Sequence, residues 1–135
     1  MELEQLRIFA ALCEEGGFSA AARKLYKSHS SVSRAVSALE CDDGTIFTGC
    51  NVENAALGST ICAERTACVK AISEGRRTFR RLAIYADSEH WCTPCGACRQ
   101  FLAEFSPDME VLCARAGNRY VSYKLSELMP HNVAF

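Results

Sequence analysis

The chain has 135 residues, enough for one domain with a real core. Its 15 Lys and Arg nearly balance 16 Asp and Glu, and a formal net charge of −1 gives no bulk attraction for nucleic acid or an anionic membrane. No run approaches the ~18 apolar residues of a membrane span, the opening Met1-Glu2-Leu3-Glu4 is acidic and unlike a signal peptide, and nine cysteines are read as reduced cytoplasmic thiols with some of them on metal.

The first forty residues carry a helical period. Leu3, Leu6, Phe9 and Leu12 recur every three residues, and Ala21, Ala22 and Leu25, then Val32, Val36 and Leu39, follow helical spacing. Gly16-Gly17 stops the first helix, Ser19 is an N-cap for the second, and Ser28 or Ser30 for the third. With Leu6, Phe9, Gly17, Phe18, Ala21, Ala22, Leu25, Ser28, Val32, Ser33, Val36, Leu39 and Glu40 in place, the stretch resembles the N-terminal helix-turn-helix of LysR-type transcriptional regulators. The resemblance implies a third helix in the major groove, with His29, Ser30, Ser31, Ser33 and Arg34 facing DNA. Five basic residues against five acidic ones leave this segment without the positive footprint of a DNA-binding unit. Nothing after Glu40 resembles that family's wing, so a DNA partner is not expected; a regulator fragment fused to a scaffold of impaired catalysis is the alternative reading.

Beyond residue 40 strands and helices alternate. Asp42-Asp43-Gly44 is a hairpin turn signal, its Asp-Gly suited to the positive-φ positions of a type I′ turn. Residues 45–52 form a β-rich strand, 62–74 a helix ended by Gly75, 80–86 a strand, and 95–105 a helix with Phe101, Leu102 and Phe105 as its apolar stripe. Short strands at 109–114 and 120–124 and a closing turn at 125–129 complete an α/β pattern. Residues 35–41 receive conflicting signals, since Ala35 and Ala38 favour helix while the turn after them needs a strand on both sides. Propensity amounts to tenths of a kcal/mol per residue, whereas each orphaned buried backbone group costs ~1–3 kcal/mol. A strand over 35–41, paired with 45–52, is therefore expected.

The chemistry concentrates in Cys62-Ala63-Glu64-Arg65 and Pro94-Cys95-Gly96-Ala97-Cys98. Zinc in a hydrolytic site takes three protein ligands and keeps a fourth position for water. Cys62, Cys95 and Cys98 supply three thiolates, and Glu64 a carboxylate that need not touch the metal. Three thiolates on a dication leave a negative centre that would hold the water's pKa high; the Arg65 guanidinium and helix N-termini near Cys62 and Cys95 would offset it. Two rivals stay open: an iron–sulfur cluster on Cys92, Cys95 and Cys98, or a closed structural zinc site with Cys92 or Cys68 as fourth ligand. The remaining cysteines, Cys13, Cys41 and the like, read as small buried hydrophobes.

From about Leu39 to Phe135 the chain closely resembles cytidine deaminase of the small homotetrameric bacterial type. The run Thr45 to Gly58, Cys62-Ala-Glu-Arg-Thr-Ala67 and Pro94-Cys-Gly-Ala-Cys-Arg-Gln100 carry the match. The resemblance implies a three-layer α/β/α fold with a mixed sheet, here preceded by a helical N-terminal segment. It implies Zn2+ on Cys62, Cys95 and Cys98, Glu64 as catalytic acid/base, Asn51 and Glu53 on the ribose, Phe135 at a neighbour's substrate pocket and Arg65 compensating charge. A nucleoside substrate, a homotetramer, no membrane partner, a cytoplasmic location and a place in pyrimidine salvage follow from it too. Residues 1–40 and 41–135 then form a helix-turn-helix-like segment and a zinc domain, which can still pack as one unit; the two resemblances overlap at Ala38-Leu39-Glu40. Ser33 stands where the family has the phenylalanine bordering the pyrimidine pocket, so weak cytidine binding beside a well-formed metal site is expected.

Overall fold

The computed structural model describes residues 35–86, 88–115 and 119–134. The regulator-like stretch up to residue 34, with Ser33 and Cys13, lies outside the described residues, as does Phe135. Among the described residues five strands form one mixed sheet: β1 Ala35–Cys41, β2 Ile46–Cys50, β3 Phe79–Ala86, β4 Glu110–Arg115 and β5 Arg119–Lys124, in the order β2-β1-β3-β4-β5. Among the described residues three α-helices accompany it: α1 Ala63–Ser73, α2 Gly96–Ala103 and the short α3 Leu125–Leu128. β3 and β4 run parallel, as a strand–helix–strand crossover requires, and every other pairing is antiparallel. The expected α/β class with a mixed sheet is what the chain forms.

Residues 35–41 are a strand. β1 pairs with β2 on one side, Ala38 opposite Thr48, and with β3 on the other, Ala38 opposite Ala83. Two ladders of backbone bonds outweigh the helix propensity of two alanines. Val36 and Leu39, which the regulator resemblance assigns to its third helix, therefore lie on opposite faces of a sheet, and the strand runs through the residue 40/41 boundary suggested by the two resemblances. The turn differs in detail from a two-residue type I′ loop. The Cys41 N–H donates to Thr45 O at 2.8 Å and the Gly44 N–H to Cys41 O at 2.9 Å, with Gly44 at φ +83°. This is a three-residue loop whose last position is left-handed, and the Asp43 carboxylate accepts the Thr45 N–H at 3.0 Å.

Alternation along the strands sends Leu39, Cys41, Phe47, Leu82, Ile84, Val111 and Cys113 to one face. Against them pack Ala67, Cys68 and Ala71 of α1, Leu102 and Ala103 of α2, and Leu125 of α3. Helices α1 and α2 thus share a face and end beside each other. The small residues of α1 let it approach closely, and at Gly49 of β2 there is no room for a side chain: a Cβ there would meet Ala63 O at 2.2 Å and Ala67 N at 2.5 Å. At its other end α1 stops at Gly75 (φ +86°), with Gly75 N–H on Ile72 O and Arg76 N–H on Ala71 O, both at 2.9 Å, a Schellman closure.

Two stability predictions follow from this face. Gly49→Ala must push helix backbone away from the sheet, and stability should fall by about 3 kcal/mol, the upper end of overpacking, read as a lower urea midpoint at unchanged slope. Ser37, fully buried on β1, has a hydroxyl with no hydrogen-bond partner among the described residues. Ser37→Ala should raise the same midpoint by ~1 kcal/mol or more, because an unsatisfied buried hydroxyl is removed.

Candidate metal centre

Cys62 and Cys95 occupy equivalent places: each is the N-cap of a helix, α1 and α2 respectively, with extended backbone at φ −69°, ψ 156° and φ −66°, ψ 166°. Cys98 follows in the first turn of α2 and is buried. Because α1 and α2 lie side by side with their N-termini at one end, the three sulfurs meet, all within 4.8 Å of one another. Cys62 Sγ and Cys95 Sγ are 3.8 Å apart. Tetrahedral coordination with Zn–S bonds of ~2.3 Å places sulfurs about 3.8 Å apart, so the spacing and the soft donors both suit zinc. Neither Cys92 nor Cys68 belongs to the group, which argues against the iron–sulfur and four-cysteine alternatives built on them. Cys68 instead sits in the core near Cys41, and burial pushes its thiol up to about 12.

The sulfurs feel opposing influences. Burial pushes the Cys62 and Cys98 thiols up, and for Cys98 the Glu64 carboxylate adds to it. Burial pushes Cys95 the same way, but backbone N–H groups of Cys98 and Ala97 and the neighbouring thiols outweigh it, and its net shift is downward. That is the expected effect of a helix N-terminus on an anion. Arg65 adds a second positive source. Burial opposes its charge, yet Cys62 and Cys98 hold the guanidinium protonated, with Nη2 4.0 Å from Cys62 Sγ and donating to Thr60 O at 3.0 Å.

Glu64 lies in the first turn of α1, only 5% exposed. Burial raises its pKa, so the carboxyl takes up a proton more readily than a surface glutamate does. Its charge also reaches Cys92 and Cys113, whose buried thiols it helps to push up. Asn51 and Glu53 follow β2, and Asn51 reaches the start of α1 beside Cys62. Asn51 Oδ1 accepts the Ala63 N–H at 2.8 Å, and Asn51 Nδ2 faces Glu53 Oε1 at 3.5 Å. The loop they open is closed by a two-way bridge of Val52 and Ile61, at 2.8 and 3.0 Å, and within it Thr60 Oγ1 accepts the Asn54 N–H at 3.2 Å.

Sequence reasoning missed Arg99. It donates from Nε to Pro94 O (2.7 Å), from Nη1 to Leu128 O (2.8 Å) and from Nη2 to Thr93 Oγ1 (3.1 Å), clamping the segment before Cys95 to the end of α3. Its neighbour Gln100 pairs with Val133 through both amide atoms, at 3.0 and 3.1 Å. The available signal was position: an arginine directly after Cys98 sits one turn from Pro94, whose carbonyl precedes the helix and lacks an intrahelical partner.

Comparison with known proteins bears on this geometry. The first curated relative, the cytidine deaminase of Sporosarcina psychrophila, is 59% identical over 68 residues, half of this chain and half of that protein. The chain thus spans about half the length of that relative. The cytidine deaminase of Halalkalibacterium halodurans is 46% identical over 94 residues, covering 69% of this chain and 71% of the relative. Among solved structures, the crystal structure of cytidine deaminase from Burkholderia pseudomallei superposes with a TM-score of 0.76 at 34% identity, covering 86% of this chain and 94% of that one. The model of the cytidine and deoxycytidylate deaminase zinc-binding region matches residues 16–114, beginning inside the stretch that resembles a regulator. Family match, fold and the meeting of three cysteines at two helix N-termini agree, and the chain belongs to the family of the cytidine and deoxycytidylate deaminase zinc-binding region.

Proposed function

We propose that the protein hydrolyses cytidine and 2′-deoxycytidine to uridine and 2′-deoxyuridine, releasing ammonia, with zinc held by Cys62, Cys95 and Cys98. The observation that carries this reading is the trio of thiols within 4.8 Å of one another beside a buried glutamate that is not one of them. When bound, zinc supplies a Lewis acid that lowers the pKa of a water at its open fourth position.

The chain's own residues do the rest. Glu64 carries one proton of the attacking water to ring N3 and then the second, from the hydroxyl formed at C4, to the amino group, so that C4 keeps the oxygen as a carbonyl and ammonia departs. Its burial suits the work, because a carboxyl whose pKa is raised takes up a proton more readily than a surface carboxylate does. Arg65 and the two helix N-termini offset the charge of the thiolates, keeping the site from becoming too electron-rich to acidify water. Asn51 and Glu53, with a donor and an acceptor side by side, hold a sugar hydroxyl. That pair favours a nucleoside over a free base.

Exposed apolar side chains support the homotetramer as the working form. Val52, Leu57 and Ile61 on the loop beside the site, and Val69 on α1, stand 49%, 84%, 38% and 43% exposed. Surfaces of this kind are covered by partner chains in oligomers. The eight described cysteines are all free thiols, which supports a reducing cytoplasmic setting and a place in pyrimidine salvage. Among the described residues no helix is long and apolar enough to cross a membrane.

An ultraviolet assay of cytidine loss tests the activity directly. In it, Glu64→Gln should lower kcat by at least ~10²–10⁴ while metal analysis still finds about one zinc per chain, because the thiolates alone hold the metal; loss of zinc would make Glu64 a ligand. The ligand set is checked separately. Cys95→Ala and Cys98→Ala should each lose zinc and thermal stability, whereas Cys92→Ala should keep its zinc, and zinc loss from Cys92→Ala would restore the closed or cluster-type site.

A further inference from the structure

A helix that begins on a metal ligand has a capping problem. Cys62 is the N-cap of α1 but makes no side-chain cap bond. Its sulfur is turned to the other two cysteines instead, 3.8 Å from that of Cys95. The first N–H groups of the helix then need acceptors from elsewhere. Asn51 provides one, its Oδ1 accepting the Ala63 N–H at 2.8 Å from twelve residues away in the chain.

This bond also decides which way the amide faces. With Oδ1 committed to the helix, Nδ2 must point outward, and it does so beside the exposed Glu53, 3.5 Å from Oε1. The outer surface of the pair is one donor and one carboxylate acceptor, the complement of a hydroxyl, which both accepts and donates. A flipped amide would present two acceptors to the ligand and leave the helix N–H facing an NH2 group.

We propose that Asn51 is a positioning residue that ties the sugar subsite to the metal-bearing helix: its Oδ1 holds the first turn of α1, and the same bond aims its Nδ2 at the substrate's sugar. The sugar half of this rests on the deaminase reading, while the helix half stands on the Asn51–Ala63 bond alone. Asparagine is required because it must accept on one side and donate on the other. Aspartate can only accept. It can keep the bond to Ala63, and its charge is favourable at a helix N-terminus, but it offers the sugar no donor. Alanine can do neither.

The test uses full-length, zinc-loaded protein with Asn51→Asp and Asn51→Ala. Zinc transfer to a chromophoric chelator reads the helix function, and KM against kcat for cytidine reads the sugar function. Asn51→Ala should release zinc at least fivefold faster than the unaltered protein, and Asn51→Asp within twofold of it. KM should rise at least tenfold in both, with kcat falling further in the alanine variant. Should Asn51→Ala prove insoluble, Asn51→Gln, whose acceptor is displaced by one methylene, should show the fast zinc release. Unchanged zinc release from the alanine or glutamine variant overturns the positioning role. Unchanged KM in Asn51→Asp overturns the outward donor. If the unaltered protein leaves cytidine untouched, the deaminase reading fails and takes the sugar half with it, while the zinc-release comparison still decides whether Asn51 holds the helix.

Discussion

Three cysteine sulfurs are asked to share one small volume, and most of the architecture answers that demand. Burial pushes thiols toward their neutral form, and crowding them together pushes further. Positive potential must come from fixed groups, and the protein supplies it with the N-termini of α1 and α2 and the Arg65 guanidinium. Two helix N-termini converge only if the helices lie together on one face of the sheet. That in turn needs β1 and β2 to offer α1 a flat, close seat, which Gly49 makes possible.

Placing ligands at N-cap positions has a second effect. An N-cap residue ordinarily spends its side chain on the helix's own N–H groups. Here the thiols face the metal position, and polar side chains from elsewhere tend to the exposed backbone. Asn51 serves Ala63, while Arg99 gathers the Pro94 and Leu128 carbonyls around the start of α2. The site is therefore held in part by residues outside the cysteine group itself.

The metal group was legible because ligand chemistry restricts both residue type and spacing: a cysteine two before a glutamate, then Pro-Cys-x-x-Cys, leave few alternatives. The strand at 35–41 was legible only by counting backbone hydrogen bonds. Val36 and Leu39 fit a helix as well as a sheet, and pairing with β2 and β3 decided between them. The three-residue form of the Asp42-Asp43-Gly44 loop was not legible, since Asp-Gly serves more than one hairpin geometry. Nor were the bonds of Asn51 and Arg99, which join residues 12 and 29 positions apart once the helices are in place. Such contacts leave no period or motif in the chain.

Cys62 and Cys95 stand 33 positions apart, with α1 and β3 between them. An ion gripped by both closes that stretch into a ring, as a disulfide would. By the chain-entropy account, a closure of this length takes about 4 kcal/mol of freedom from the unfolded chain. The ion is then a staple as well as a chemical centre, in a chain whose eight described cysteines are all free thiols. The folded population of such a protein varies with the free metal around it. Starvation for the metal would lower the amount of folded protein, whatever it did at the site.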